Sequence, residues 1–138
     1  MKILIVEDDK TNSMFLKGIF SPYGEVETAM NGVEALATIE RELDQLKKPF
    51  DLICLDISMP ELDGMSTLVK LRELEESRGH GGLGGSKVIM TTAYDSPKDI
   101  LGAFKKGCEA YIVKPINREK LFEQVRALGL PLTEASKT

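Results

Sequence analysis

The sequence predicts a doubly wound α/β domain: a five-stranded parallel sheet wrapped by five helices. Three observations predict it. Five short apolar segments alternate strictly with five helix-forming stretches, the pattern of a parallel sheet with helices on both faces. Leu52-Ile53-Cys54-Leu55 is apolar at every position, as suits a strand covered on both sides. The chain has 138 residues, 42% hydrophobic and 29% charged, which is enough for one domain with a sizeable core. No internal repeat or second core is visible. Right-handed crossovers limit the topology, and ligands belong at the carboxyl edge where strand order reverses.

The elements follow in order. A strand over residues 2–6 leads to a helix from Thr11 or Asn12, with Phe15, Leu16, Ile19 and Phe20 at helical spacing. Ser21-Pro22-Tyr23-Gly24 ends it. A short strand near Val26 reaches Asn31-Gly32, and a long amphipathic helix then carries Leu36, Ile39, Leu43 and Leu46 on one face, stopping before Pro49. After the third strand, the loop 58–64 enters a helix bearing Met65, Leu68, Val69 and Leu71. Five glycines among residues 79–85 speak against a packed element, so this stretch reads as a mobile loop that lengthens a connection. The fourth strand ends at Thr91-Thr92-Ala93. Ser96 as N-cap, Pro97 at the first helical position and Asp99 near the positive dipole end start the next helix. Ala110–Val113 is the fifth strand. Asn117 caps a last helix with Leu121, Val125 and Leu128 inward, Gly129 and Pro131 end it, and a polar tail follows.

Composition excludes several functions. The net charge of −4, with scattered Lys and Arg, gives no nucleic-acid surface. No apolar run approaches the roughly 18 residues of a membrane span, and the N-terminus lacks a signal-peptide pattern. Cys54 and Cys108 read as buried thiols of a cytoplasmic protein rather than a disulfide. His80, the one histidine, reads as a solvated loop residue.

Chemistry gathers at the strand ends. Glu7 and Asp8 follow Ile3–Val6, Asp56 follows Leu52–Leu55, Thr92 follows Val88–Met90, and Lys114 follows Tyr111–Val113. In the strand order 2-1-3-4-5, with strands about 4.8 Å apart, Asp56 would fall between the Glu7/Asp8 pair and Thr92, and Lys114 would reach in from about 10 Å away. Three close carboxylates repel by a few kcal/mol per pair at an effective dielectric near 20, so the site calls for a cation. Oxygen-only ligands favour Mg²⁺ over zinc or copper. A lone acid after a strand is more often a helix cap, and Asp51 and Asp63 read as turn residues of that kind. Four strand ends acting together are a different matter.

Val6-Glu7-Asp8-Asp9, Asp56 with Met59-Pro60 and Asp63-Gly64, Thr92-Ala93, and Tyr111-Ile112-Val113-Lys114-Pro115 together resemble the receiver domain of two-component response regulators, of flavodoxin-like fold. The resemblance spans residues 1–128, leaving 129–138 as a short tail with no output domain. It implies that Asp56 takes a phosphoryl group from a histidine kinase or phosphotransfer protein as an aspartyl phosphate. It implies Mg²⁺, with Mn²⁺ as a substitute, on Asp8, Asp56 and the Ser58 backbone carbonyl, and on Glu7 through water. Lys114 and Thr92 would bind phosphoryl oxygens. Thr92 and Tyr111 would form a switch that alters the surface of the fourth helix, fifth strand and fifth helix, where a downstream protein binds. Ala93 would leave room for the phosphoryl group, Ser58 and Tyr94 would flank the attacking water, and Lys114-Pro115 would be cis.

The resemblance thus implies a stand-alone cytoplasmic signalling module, a monomer or weak homodimer, catalysing only its own phosphoryl transfer and slow autodephosphorylation. Two rivals fit poorly. A phosphatase of the haloacid-dehalogenase type needs a second Asp two residues after the nucleophile, where this chain has Ser58. A flavodoxin-like electron carrier would present Glu7-Asp8-Asp9 to a flavin phosphate and repel it.

Overall fold

A computed structural model of the chain describes residues 1–57, 63–93 and 97–132, apart from the side chains of Leu83 and Pro97. Five parallel strands form one sheet: β1 (Lys2–Val6), β2 (Glu25–Ala29), β3 (Leu52–Asp56), β4 (Lys87–Thr92) and β5 (Ala110–Val113). Their order is β2-β1-β3-β4-β5, the expected one. The helices are α1 (Lys10–Phe20), α2 (Gly32–Arg41), α3 (Gly64–Ser77), α4 (Pro97–Lys106) and α5 (Arg118–Ala127).

Strand alternation sorts the core into two layers. Leu4, Val6, Ile53, Leu55, Val88 and Met90 face one side, packing on α2, α3 and Ala103 of α4. Ile3, Ile5, Leu52, Cys54, Ile89 and Ile112 face the other, against α1 and α5. Cys54 and Cys108 are both free and buried.

Helix starts are set by side-chain caps that satisfy orphan backbone donors. Asp9 accepts from the Asn12 N–H, Asn31 from Glu34, Asp63 from Ser66, and Asn117 from Glu119 and Lys120. Asp63 is therefore a helix cap. Asp51 is a turn residue: its carboxylate accepts from the Lys2 N–H at 2.7 Å, joining the starts of β1 and β3. The expected Ser96 cap lies outside the described residues.

Several expectations need correction. Leu46 does not share the inward face of α2; it is 60% exposed. After Arg41 the helix widens into a π-turn over Glu42–Leu46, whose i→i+5 geometry rotates later residues off the α-helical stripe. Glu42 turns inward instead, because the Lys2 ammonium meets it at 2.6 Å. Phe15 points outward on α1, at 48% exposure. The glycine-rich stretch closes into a 3₁₀ turn over Gly82–Gly84, and the His80 N–H donates to the Glu75 carbonyl at 2.7 Å. Gly129, at φ +81°, turns the chain so that Leu130 and Leu132 pack on the α1/α5 layer. Residues 133–138 lie outside the description.

Candidate functional site

Register brings the strand ends level. Val6 pairs with Leu55, Asp56 with Thr91, and Thr92 with Val113, so Glu7, Asp56, Thr92 and Lys114 meet at one carboxyl edge. The Lys114 side chain crosses two strands: its Nζ lies 2.7 Å from Glu7 Oε1 and 3.3 Å from Asp56 Oδ2. The Lys114-Pro115 peptide is cis, as the resemblance implies. The Lys114 backbone N–H donates to the Thr92 carbonyl at 2.6 Å, fixing the ends of β4 and β5 together.

Glu7, Asp8 and Asp56 place carboxylate oxygens within 4.8 Å of one another. At that separation each pair of like charges costs on the order of 3 kcal/mol at an effective dielectric near 20. Lys114 offsets part of this, leaving a net negative set of oxygen donors that suits a hard divalent cation. Glu7 is 2% exposed and Asp56 is 3% exposed, so water screens them weakly.

Both Glu7 oxygens are committed: Oε1 to Lys114, and Oε2 to the backbone N–H of Asp9 at 3.3 Å. Burial pushes the Glu7 carboxyl up. Hydrogen bonding with Asp56 and Lys114 outweighs it and holds the group below the ordinary glutamate range. Burial likewise presses Lys114 down, but Glu7 and Asp56 outweigh it and keep the ammonium above its ordinary value.

Gly64, quoted in the sequence motif without a reason, has one here. A Cβ at position 64 would collide with the Asp56 carbonyl oxygen and lie 2.6 Å from the Ile57 Cα. Its N–H donates to the Ile57 carbonyl at 2.9 Å. The first turn of α3 thus rests directly on the backbone that carries Asp56, and only a residue without a side chain allows it.

Thr92 is fully enclosed, and Tyr111 is half-buried against the core layer that packs on α2, α3 and α4. Ser58, Met59, Pro60 and Tyr94 lie outside the described residues. Sequence reasoning missed the Asp9 N–H that steadies Glu7, since a backbone donor leaves no compositional trace.

Residues 3–126 match the response regulator receiver domain, and the chain belongs to that family. It is 33% identical over 125 residues to the chemotaxis protein CheY of Listeria monocytogenes, covering 89% of this chain and 93% of that protein. It is also 33% identical over 129 residues to a hybrid signal transduction histidine kinase L of Dictyostelium discoideum; the match takes in 93% of this chain but only 7% of the kinase. Among solved structures, the receiver domain of the histidine kinase CKI1 from Arabidopsis thaliana, complexed with Mg²⁺ and BeF₃⁻, superposes with a TM-score of 0.82. The identity is 25%, with 93% of this chain and 89% of that one covered. Receiver domains are the signalling modules of two-component systems, phosphorylated by kinases on an aspartate with Mg²⁺. No helix among the described residues is long and apolar enough to cross a membrane.

Proposed function

We propose that Asp56 is the phospho-acceptor of this chain and that its aspartyl phosphate switches a partner-binding surface. One observation carries the reading: the Asp56 carboxylate lies beside Glu7, Asp8 and the Lys114 ammonium at a single strand edge. An Asp56 oxygen attacks phosphorus, the bond from phosphorus to the donor's imidazole nitrogen breaks, and the imidazole leaves with its electron pair. Lys114 neutralises charge on the phosphoryl oxygens, and Thr92 donates a hydrogen bond to one of them. Asp8 and Asp56, with the Ser58 carbonyl, would hold Mg²⁺, for which Mn²⁺ would substitute. The cation supplies charge neutralisation at the phosphoryl group. Glu7 acts through water in this reading, in keeping with the commitment of both its oxygens to Lys114 and Asp9.

The switch runs through Thr92 and Tyr111. Displacement of Thr92 toward the phosphoryl group makes room for Tyr111 to turn inward, which alters the face of α4, β5 and α5. That face already exposes Leu101, Phe104 and Val113, an apolar surface suited to a downstream protein. The reading places the chain in the cytoplasm, as a monomer or weak homodimer, with residues 1–128 forming the receiver and slow hydrolysis of its own phosphate resetting it.

The test is incubation with acetyl phosphate and Mg²⁺, followed by intact-mass spectrometry. One base-labile phosphoryl group is expected on the wild type and none on Asp56→Ala; labelling that survives the substitution refutes the assignment. Hydrogen exchange in α4 is expected to change on phosphorylation of the wild type and to stay flat in Thr92→Ala.

A further inference from the structure

Arginines in this chain fall into two groups. Arg41, Arg72 and Arg78 each meet carboxylates at 3.0 Å or less: Glu27 for the first, Glu75 and Glu109 for the second, Glu40 and Asp44 for the third. Arg118 and Arg126, both exposed on α5, form no ion pair among the described residues. Each instead lies against the Phe122 ring, 5.1 and 5.8 Å from its centroid. With 22 acids against 18 lysines and arginines, a shortage of carboxylates does not explain this.

Helical spacing does. Arg118, Phe122 and Arg126 follow at four-residue steps in one row of α5, and Glu119 and Glu123 form the next row. The ring holds both guanidiniums on its own row, so Arg126 does not pair with Glu123, three residues before it. Phe122 is itself fixed: it is 6% exposed, with Tyr23 edge-on at 5.3 Å and Phe20 at 6.3 Å. The two cations thus stand on a rigid platform, and part of the ordering that a ligand demands is already done.

Over this platform lies a hollow of about 460 Å³, lined by both rows and by Tyr23. That is the volume of a small-molecule site. Its lining is bipolar, with Arg118 and Arg126 on one row and Glu119 and Glu123 on the other. Tyr23 adds a hydroxyl that has no hydrogen-bond partner among the described residues. A simple anion suits the first row but is repelled by the second, and a simple cation meets the reverse. A ligand with phosphates at one end and neutral O–H or N–H donors at the other satisfies both rows. Guanidinium grips phosphate through two parallel N–H donors. Carboxylates accept from ribose hydroxyls and from the N–H groups of a base. Nucleotides have this construction.

We propose that this hollow binds a nucleoside triphosphate, its phosphates held by Arg118 and Arg126 and its ribose and base by Glu119 and Glu123, with Tyr23 alongside. The site shares no residue with the cluster at the carboxyl edge, and the inference does not rest on the acceptor reading of Asp56.

The probes are ATP, GTP and inorganic tripolyphosphate, titrated into the full chain in EDTA so that no divalent cation occupies the carboxylate cluster. Calorimetry measures affinity, and amide chemical shifts locate the binding. ATP or GTP is expected to bind at least about tenfold more tightly than tripolyphosphate, with shifts centred on Tyr23 and residues 118–126. A difference between the two nucleotides would show that the base is read, and equal binding would place the contacts on the ribose. Changing Arg118→Gln and Arg126→Gln together, with folding checked by the melting temperature, is expected to lower nucleotide affinity at least about tenfold. Changing Glu119→Ala and Glu123→Ala together is expected to close the margin between nucleotide and tripolyphosphate, a split that a general loss of structure does not produce. Absence of binding by both nucleotides at millimolar concentration overturns the proposal. So does tripolyphosphate that binds as tightly as they do, shifts centred on Asp56 and Thr92, or unchanged affinity in the double arginine variant.

Discussion

At the scale of single residues, buried ionisable groups decide the behaviour. Asp56, Glu7 and Asp8 set three carboxylates against one ammonium. Asp56→Asn removes a charge from that excess, so the variant is expected to melt roughly 2–6 °C higher than the wild type without Mg²⁺. A lower melting temperature would show that the Lys114–Asp56 bridge outweighs the repulsion. The thiols give a second test. Burial pushes Cys54 up to about 12, and burial followed by the Glu109 charge pushes Cys108 up to about 11. Thiolate is the reactive form, so iodoacetamide at pH 8 is expected to leave both cysteines of the folded chain unmodified over a time that labels both in denaturant. Rapid labelling of the folded protein would contradict the burial.

At the scale of elements, two ion networks at the amino edge tie helices to strands. Arg72 on α3 donates to Glu75, to the Ser86 carbonyl, to the Gly107 carbonyl and to Glu109. Glu75 is 1% exposed, and its second oxygen accepts the Ser86 N–H. Arg72→Met leaves that carboxylate buried without its cation and is expected to cost about 3–5 kcal/mol in urea unfolding. Adding Glu75→Leu is expected to recover part of the loss; a double variant no better than the single one would place the energy in the Gly107 and Glu109 bonds. Lys2 is the centre of the other network. Its hydrogen bond to Glu42 raises it above 10.5, although partial burial opposes this. Its folded value exceeds the unfolded one, so its stabilisation is complete below about pH 10.5 and is lost as pH rises through the folded value. Lys2→Met is therefore expected to be less stable than the wild type at neutral pH, with the difference shrinking in alkali.

These networks also mark where the sequence was hard to read. Strand alternation and the apolar run of β3 made the parallel, doubly covered sheet legible, its strand order came with the family resemblance, and β5 falls on Ala110–Val113 as expected. The cluster of Glu7, Asp56 and Lys114 was legible because each follows an apolar run. Glu42 and Glu75 were not, since a glutamate on a helix reads as a solvated face until its cation, 40 or 3 residues away, is known. Leu46 failed for a geometric reason: the π-turn breaks the 3.6-residue period on which the helical stripe depends.

At the scale of the whole molecule, the proposed site would link folding to cation binding. In the proposed reading, a cation held by Asp8 and Asp56, with Glu7 acting through water, would bind the folded chain and not the unfolded one. Mg²⁺ at a hundredfold excess over Kd is then expected to add about 2.7 kcal/mol of stability. Calorimetry across a Mg²⁺ series measures this, and the gain is expected to vanish in a variant with both Asp8 and Asp56 changed to Asn. An unchanged melting temperature at millimolar Mg²⁺ would exclude the metal site.

The contact between Gly64 and the Asp56 carbonyl bears on how this chain tolerates change. In a library carrying every substitution, enrichment for phosphorylated protein would thin out at position 64 about as sharply as at Asp56, the proposed acceptor. A residue that would never meet the phosphate would thus look catalytic to a selection, because a side chain there would displace the strand end that carries Asp56.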